Sequence, residues 1–102
     1  MYYLPNPENP SDWVSYDDCH KPTSFLYEIK AEHAGPLSFA QGAGNIEESF
    51  LKQSARQIAA SGGRPVVWIF AEEATAEATR KLFKEKNQGR EHITVVWVPW
   101  IE

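Results

Sequence analysis

Phe25-Leu26-Tyr27-Glu28-Ile29-Lys30 is the stretch from which the chain is best read. Its aromatic and branched residues mark a strand. Side chains alternate along a strand, so Phe25, Tyr27 and Ile29 share one face while Leu26, Glu28 and Lys30 share the other. A carboxylate and an amine therefore stand side by side in an otherwise apolar segment. Upstream, Trp13 to Tyr16 reads as a short strand that leads into Asp17 and Asp18. Pairing these two strands brings Asp17 beside Glu28, with Lys30 next along. Two acids and one lysine at the mouth of a sheet can hold a divalent cation and orient a water.

On either side of this centre the chain divides readily. Residues 1–10 contain Pro5, Pro7 and Pro10, which exclude a helix. Residues 1–11 read as an extended arm or linker, and 12–102 as one domain. Asp18 to Ser24, with Pro22, reads as a turn, and the strand after it as Phe25 to Ala31. Residues 33–44 read as loop, with room for a short edge strand over Pro36 to Ala40.

Asn45 to Ser61 is the clearest helix. Asn45 and Glu48 resemble a capping box, and Gly62-Gly63 supplies a left-handed stop. Ile46, Phe50, Ser54 and Ile58, with Leu51, fall on one arc at about 100° per residue. Gln53 and Gln57 read as the border of that arc, with Arg56 further out. Val66 to Ala71 is apolar at every position, the pattern of a central strand covered on both sides. Glu72 to Asn87 reads as a second helix, acidic at its start and basic at its end. Its expected pair is Glu77 with Lys81, and its expected stripe is Ala74, Ala78 and Leu82, with Phe83 beside it. Ile93 to Val98 is the last strand, stopped by Pro99. The fold class expected is α/β, a mixed sheet flanked by helices, with a right-handed crossover.

Composition limits the function classes. The chain has 102 residues and a net charge of −4, with 42% hydrophobic residues. No apolar run reaches membrane length, so no membrane contact is expected. A single cysteine, Cys19, excludes an internal disulfide framework and a cysteine-built zinc site. His20, His33 and His92 lack ligand spacing. The charge excess is local: residues 1–32 hold Glu8, Asp12, Asp17, Asp18, Glu28 and Glu32 against Lys21 and Lys30, and the remainder is balanced. Such an acidic site repels phosphate unless a cation occupies it.

Phosphodiester hydrolysis needs a nucleophilic water, neutralisation of the phosphate and help for the leaving oxygen. Magnesium held by Asp17 and Glu28, with the Ile29 carbonyl as a further ligand, supplies the second and polarises the first. Lys30 would orient the water. Gln53 and Gln57, one turn apart, could hold a bound water or the scissile phosphate, and Arg56 could clamp phosphate through its fork. An exposed edge strand beside a solvated helix flank would carry the same residues, and E-x-K is a common tripeptide.

Two longer runs carry a resemblance. Phe50-Leu51-Lys52-Gln53-Ser54-Ala55-Arg56-Gln57 and Gly62-Gly63-Arg64-Pro65-Val66-Val67-Trp68-Ile69-Phe70-Ala71-Glu72 resemble the restriction-endonuclease-fold toxin 5 family. Tyr16-Asp17 and Leu26-Tyr27-Glu28-Ile29-Lys30 look like that family's Asp and E-x-K signature. The resemblance spans roughly 12–99. It implies a PD-(D/E)xK core and metal-dependent DNA cleavage with magnesium or manganese. It also implies a bacterial polymorphic toxin, delivered as a secreted effector (type VI among the routes) into the cytoplasm of a target bacterium and neutralised by an immunity protein. Carried over by residue, Asp17 and Glu28 are metal ligands, Lys30 orients the water, and Gln53, Arg56 and Gln57 match polar helix positions. Asp18 stands where a glycine commonly follows the catalytic Asp, which leaves Asp18 as an alternative ligand. The helix that usually precedes the first strand is replaced by the proline-rich arm. Two other classes use the same residues. One is an acidic binding module of inhibitor or immunity type, without metal dependence; the other is a degenerate endonuclease fold with a scattered triad.

Overall fold

The computed structural model describes residues 1–21, 23–30 and 43–98, with side chains from residue 47 onward in the last segment. The strands are β1 (Tyr2–Asn6), β2 (Asn9–Tyr16), β3 (Asp18–His20), β4 (Phe25–Lys30), β5 (Val66–Phe70) and β6 (Ile93–Trp97). The helices are α1 (Ala43–Ser61) and α2 (Glu73–Glu85), with a 3₁₀ turn at Arg90–His92. The class is α/β. A four-stranded mixed sheet has the order β3-β4-β5-β6, its first pair antiparallel and the other two parallel.

The chain crosses from β4 to β5 and from β5 to β6 in the same direction, with a helix in each connection. Right-handed crossovers then place both helices on one face. Trp68 marks that face, with Phe50 of α1 at 5.3 Å and Phe83 of α2 at 5.2 Å between ring centroids. Val66, Trp68 and Phe70 are buried there, alongside Leu26, Ile93 and Val95. The expected cover on both sides of β5 is complete on this face and partial on the other. Among the described residues, Val67 and Ile69 lie half-buried on the face away from the helices.

The proline-rich arm is corrected. It forms a hairpin, β1 with β2, in the register Tyr2↔Tyr16 and Leu4↔Val14. Proline excludes a helix but not an edge strand, and the register shifts between Pro5 and Asn6. Asn6 closes the turn by accepting the Glu8 amide at 3.0 Å. Val14 and Tyr16 are buried, and Tyr2 and Leu4 pack against the core, so the segment is part of the domain.

Other boundaries move less. The first three residues of the expected turn form β3, and Ser24 at φ 64° completes the reversal into β4. α1 starts at Ala43, which puts Asn45 inside the helix and not at its cap. Gly62 and Gly63, at φ 66° and 87°, stop the helix as expected. α2 buries Thr75, Ala76, Thr79, Leu82 and Phe83 in place of the alanine stripe. Threonine is tolerated there because its hydroxyl is satisfied locally: Thr79 donates to the Thr75 carbonyl at 2.8 Å and Thr75 to Glu72 at 3.1 Å. Glu77 pairs with Arg80 at 2.7 Å, not with Lys81. Ala31, His33, Pro36 to Ala40 and Pro99 lie outside the described residues.

Candidate active site

β4 is an interior strand whose two faces reverse the simplest expectation. The apolar side is the more open one, with Ile29 42% exposed, while Glu28 and Lys30 face the helices at 9% and 7%. Burial of two charges is tolerable only when each is paired and hydrogen-bonded. Lys30 Nζ lies 3.2 Å from Glu28 Oε2 and donates to Gln53 Oε1 at 2.5 Å. Gln53 Nε2 donates to Glu28 Oε2 at 2.8 Å. Gln57 Nε2 donates to Glu28 Oε1 at 3.0 Å and to the Ser15 carbonyl at 3.2 Å. The ammonium also sits over the Phe50 and Trp68 rings, 5.0 and 4.7 Å from their centroids. Burial pushes the Lys30 ammonium below the ordinary lysine range; the charge of Glu28, its hydrogen bond and then the charge of Asp17 pull it back.

Asp17 occupies the bend between β2 and β3. Its amide donates to the Tyr27 carbonyl at 2.8 Å, and its Oδ2 accepts the Ile29 amide at 2.6 Å. Extending the Asp18↔Tyr27 register by one residue sets Asp17 opposite Glu28. A strand residue sends its N–H and C=O toward the same neighbour, so the Ile29 carbonyl also faces the Asp17 side. Asp18 pairs with Tyr27 on the open face, is exposed, and accepts the Cys19 amide at 2.8 Å. Of the two acids, Asp17 is the one on the Glu28 side.

The donor set suits a hard cation. An ionised carboxylate offers about four lone-pair sites. Glu28 uses three of them, for Gln57, Gln53 and Lys30. Asp17 and the Ile29 carbonyl add further oxygens, the chemistry that magnesium or manganese prefers. Among the described residues no three His, Cys, Asp or Glu side chains converge, so an ion here would rest on two carboxylates, backbone and water.

Gln53 links this cluster to solvent. An open cleft of ≈ 510 Å³ lies between β2 and α1, and Ser15, Lys52, Gln53 and Arg56 line it. Arg56 is not a free fork: its Nη2 pairs with Asp12, and its Nε donates to Asp12 Oδ2 at 3.1 Å. That contact ties α1 to the hairpin, and hydrogen bonds from Arg56 and then Asn6 hold the Asp12 carboxyl below its usual range. Arg64 donates to Cys19 Sγ at 2.8 Å, and His20 and His92 are exposed, so none of these joins the cluster.

Gln57 departs most from expectation. It is fully buried at 0% exposure, not at a border. Seven residues, about two turns, separate it from Phe50, which places it inside the apolar arc. Trp68 Nε1 donates to Gln57 Oε1 at 2.8 Å, and Tyr16 donates its hydroxyl to the Gln57 carbonyl at 2.8 Å. The signal for Trp68 was available: a buried indole N–H needs an acceptor. Ser15 and Tyr16 act through backbone and tertiary geometry, for which the sequence carried no sign.

Tyr16 gives a pH prediction. Burial raises its phenol from 10.0 to about 12, against a smaller opposing effect of Arg64. The folded state then holds a proton that the unfolded state has lost. Stability from this group is complete below pH 10 and is lost as pH rises through 12. The difference in urea midpoint between the native protein and Tyr16→Phe should shrink across that window. A constant difference would contradict the assignment.

Comparison with protein-family models, curated proteins and solved structures gave no match.

Proposed function

We propose that the chain is a metal-dependent nuclease on a restriction-endonuclease-like, PD-(D/E)xK core, cleaving DNA as the toxin domain of a secreted bacterial effector. One observation carries the reading: Glu28, Lys30 and Gln53 form a single bonded cluster, and the Asp17 carboxylate lies across from it on the Ile29 amide. The strand order, with an antiparallel pair leading into two parallel crossovers, supports the core.

Asp17, Glu28 and the Ile29 carbonyl would hold magnesium or manganese, which supplies phosphate neutralisation and an acidified water. The chain's own residues do the rest. A phosphate entering by the cleft meets Gln53 before Glu28 or Lys30. Lys30, kept cationic by Glu28, stabilises developing negative charge and orients the attacking water. Gln57 keeps the Glu28 carboxylate in place. Arg56 reaches phosphate only by exchanging Asp12 for it; the exposed half of that pair makes the exchange inexpensive. The family resemblance adds a cognate immunity protein that blocks the acidic site, with action in the target cell's cytoplasm.

The test is plasmid digestion by the purified chain. Cleavage with magnesium, abolished by chelator and by Glu28→Ala, is the expected result. Cleavage indifferent to chelator, or none by a folded protein on DNA or RNA, would overturn it. The second outcome would favour a buried structural network, a reading that the complete pairing of buried side-chain polar atoms among the described residues also fits. Expression of the domain in a bacterial host should be toxic, and a neighbouring gene's product should relieve it.

A further inference from the structure

Gln57 is an amide with two ends, and its function at Glu28 depends on which end faces the carboxylate. Nε2 can donate there; Oε1 would repel. Nothing in the residue itself decides between the two. The decision comes from the groups at its two ends, and at the Oε1 end from β5. The Trp68 indole is donor-only and has one N–H. It is 0% exposed and lies 2.8 Å from Oε1 of Gln57, which is also 0% exposed. Turning the amide over would set the indole N–H against an NH₂ group, with no room for solvent to compensate, at the cost of an unmade buried hydrogen bond. The acceptors on the other side complete the constraint. Ser15 offers a carbonyl at 3.2 Å and Glu28 a carboxylate oxygen at 3.0 Å, so both Nε2 protons are used.

We propose that Trp68 is a positioning residue: its indole N–H locks the Gln57 amide in the orientation that presents Nε2 to Glu28, and so sets the carboxylate's placement. Its effect on cleavage rests on the nuclease reading, while the lock itself does not. Groups hydrogen-bonded directly to a metal ligand, as Gln57 is to Glu28, typically change activity by about 10- to 100-fold when altered, and Trp68, one step further out, is assigned the lower end of that range.

The test replaces Trp68 with its benzothiophene isostere, which keeps the shape and lacks the N–H, and so avoids the cavity that Trp68→Phe would leave at this fully buried position. The first readout is ¹⁵N NMR of the Gln57 side chain. In the native chain the two Nε2 protons should be resolved and protected from exchange. In the isostere they should lose protection, while the melting temperature stays close to native. The second readout is DNA cleavage, where kcat should fall about 10-fold or more with KM unchanged. Against a Gln57→Met background the same replacement should add no further loss, because Trp68 acts only through Gln57. Retained protection in the isostere, or equal losses with and without Gln57, would overturn the proposal. If the native chain cleaves nothing, the nuclease reading fails and the NMR result alone decides the lock.

Discussion

Glu28→Ala should abolish magnesium-dependent cleavage and destabilise the fold by about 3–5 kcal/mol. The two effects share one cause. Lys30 is 7% exposed, and its ammonium is compensated by Glu28 at 3.2 Å, so removing the carboxylate leaves a cation buried against Phe50 and Trp68. Gln53 and Gln57 lose their acceptor at the same time. Breaking a buried pair is costly, whereas replacing it whole by apolar residues of similar size is often neutral. The double variant Glu28→Leu with Lys30→Met should therefore recover most of the stability and none of the cleavage. Urea unfolding of the three proteins checks this. A single variant as stable as the native chain would show that the pair is solvated and would remove the physical basis of the site.

Arg90→Met should cost about 3 kcal/mol without entering the chemistry. Arg90 is 5% exposed and has no carboxylate partner among the described residues. Its Nε donates to Ser54 Oγ at 2.7 Å and its Nη2 to the Leu51 carbonyl at 2.9 Å, both on α1. Its Nη1 donates to the Lys86 carbonyl at 2.6 Å, at the negative end of α2. The side chain thus joins two helices through carbonyl and hydroxyl oxygens, and burial pushes its guanidinium below the ordinary range. Methionine fills the space and leaves those acceptors unpaired. A urea midpoint shifted by less than the equivalent of about 1 kcal/mol, at unchanged slope, would contradict this role.

These residues also mark the limit of sequence reasoning. β5 was legible because an uninterrupted run of Val, Trp, Ile and Phe has few alternatives to an interior strand. α1 was legible from its period and its glycine stop. The hairpin was not, because three prolines rule out a helix without indicating a partner strand, and the pairing of Tyr2 with Tyr16 is a tertiary fact. The alternation in β4 correctly separated Glu28 and Lys30 from Ile29, but not which side would be covered. Polar burial depends on what other elements supply, here two glutamines from α1. Arg90 gave no sign for the same reason: its acceptors are the Ser54 hydroxyl and backbone carbonyls of both helices, which no charge pattern displays. Glu28 and Lys30 could be set on one face in advance because strand period is local; Asp17 comes opposite Glu28 by the β3–β4 pairing, whereas Trp13 to Tyr16, the expected partner of β4, pairs with β1. Tyr16 and Ser15 could not be placed, and the buried Trp68 indole signalled only its need for an acceptor; all three reach Glu28 through Gln57.

The most direct measurement is a magnesium titration of the folded protein, followed by calorimetry, for the native chain, Asp17→Asn, Glu28→Gln and Lys30→Ala, with cleavage assayed on the same preparations. One bound ion, weaker binding in both carboxylate variants, and near-native binding with lost cleavage in Lys30→Ala are expected. Magnesium affinity untouched by Asp17→Asn and Glu28→Gln, in protein that still cleaves DNA, would contradict the proposed metal site.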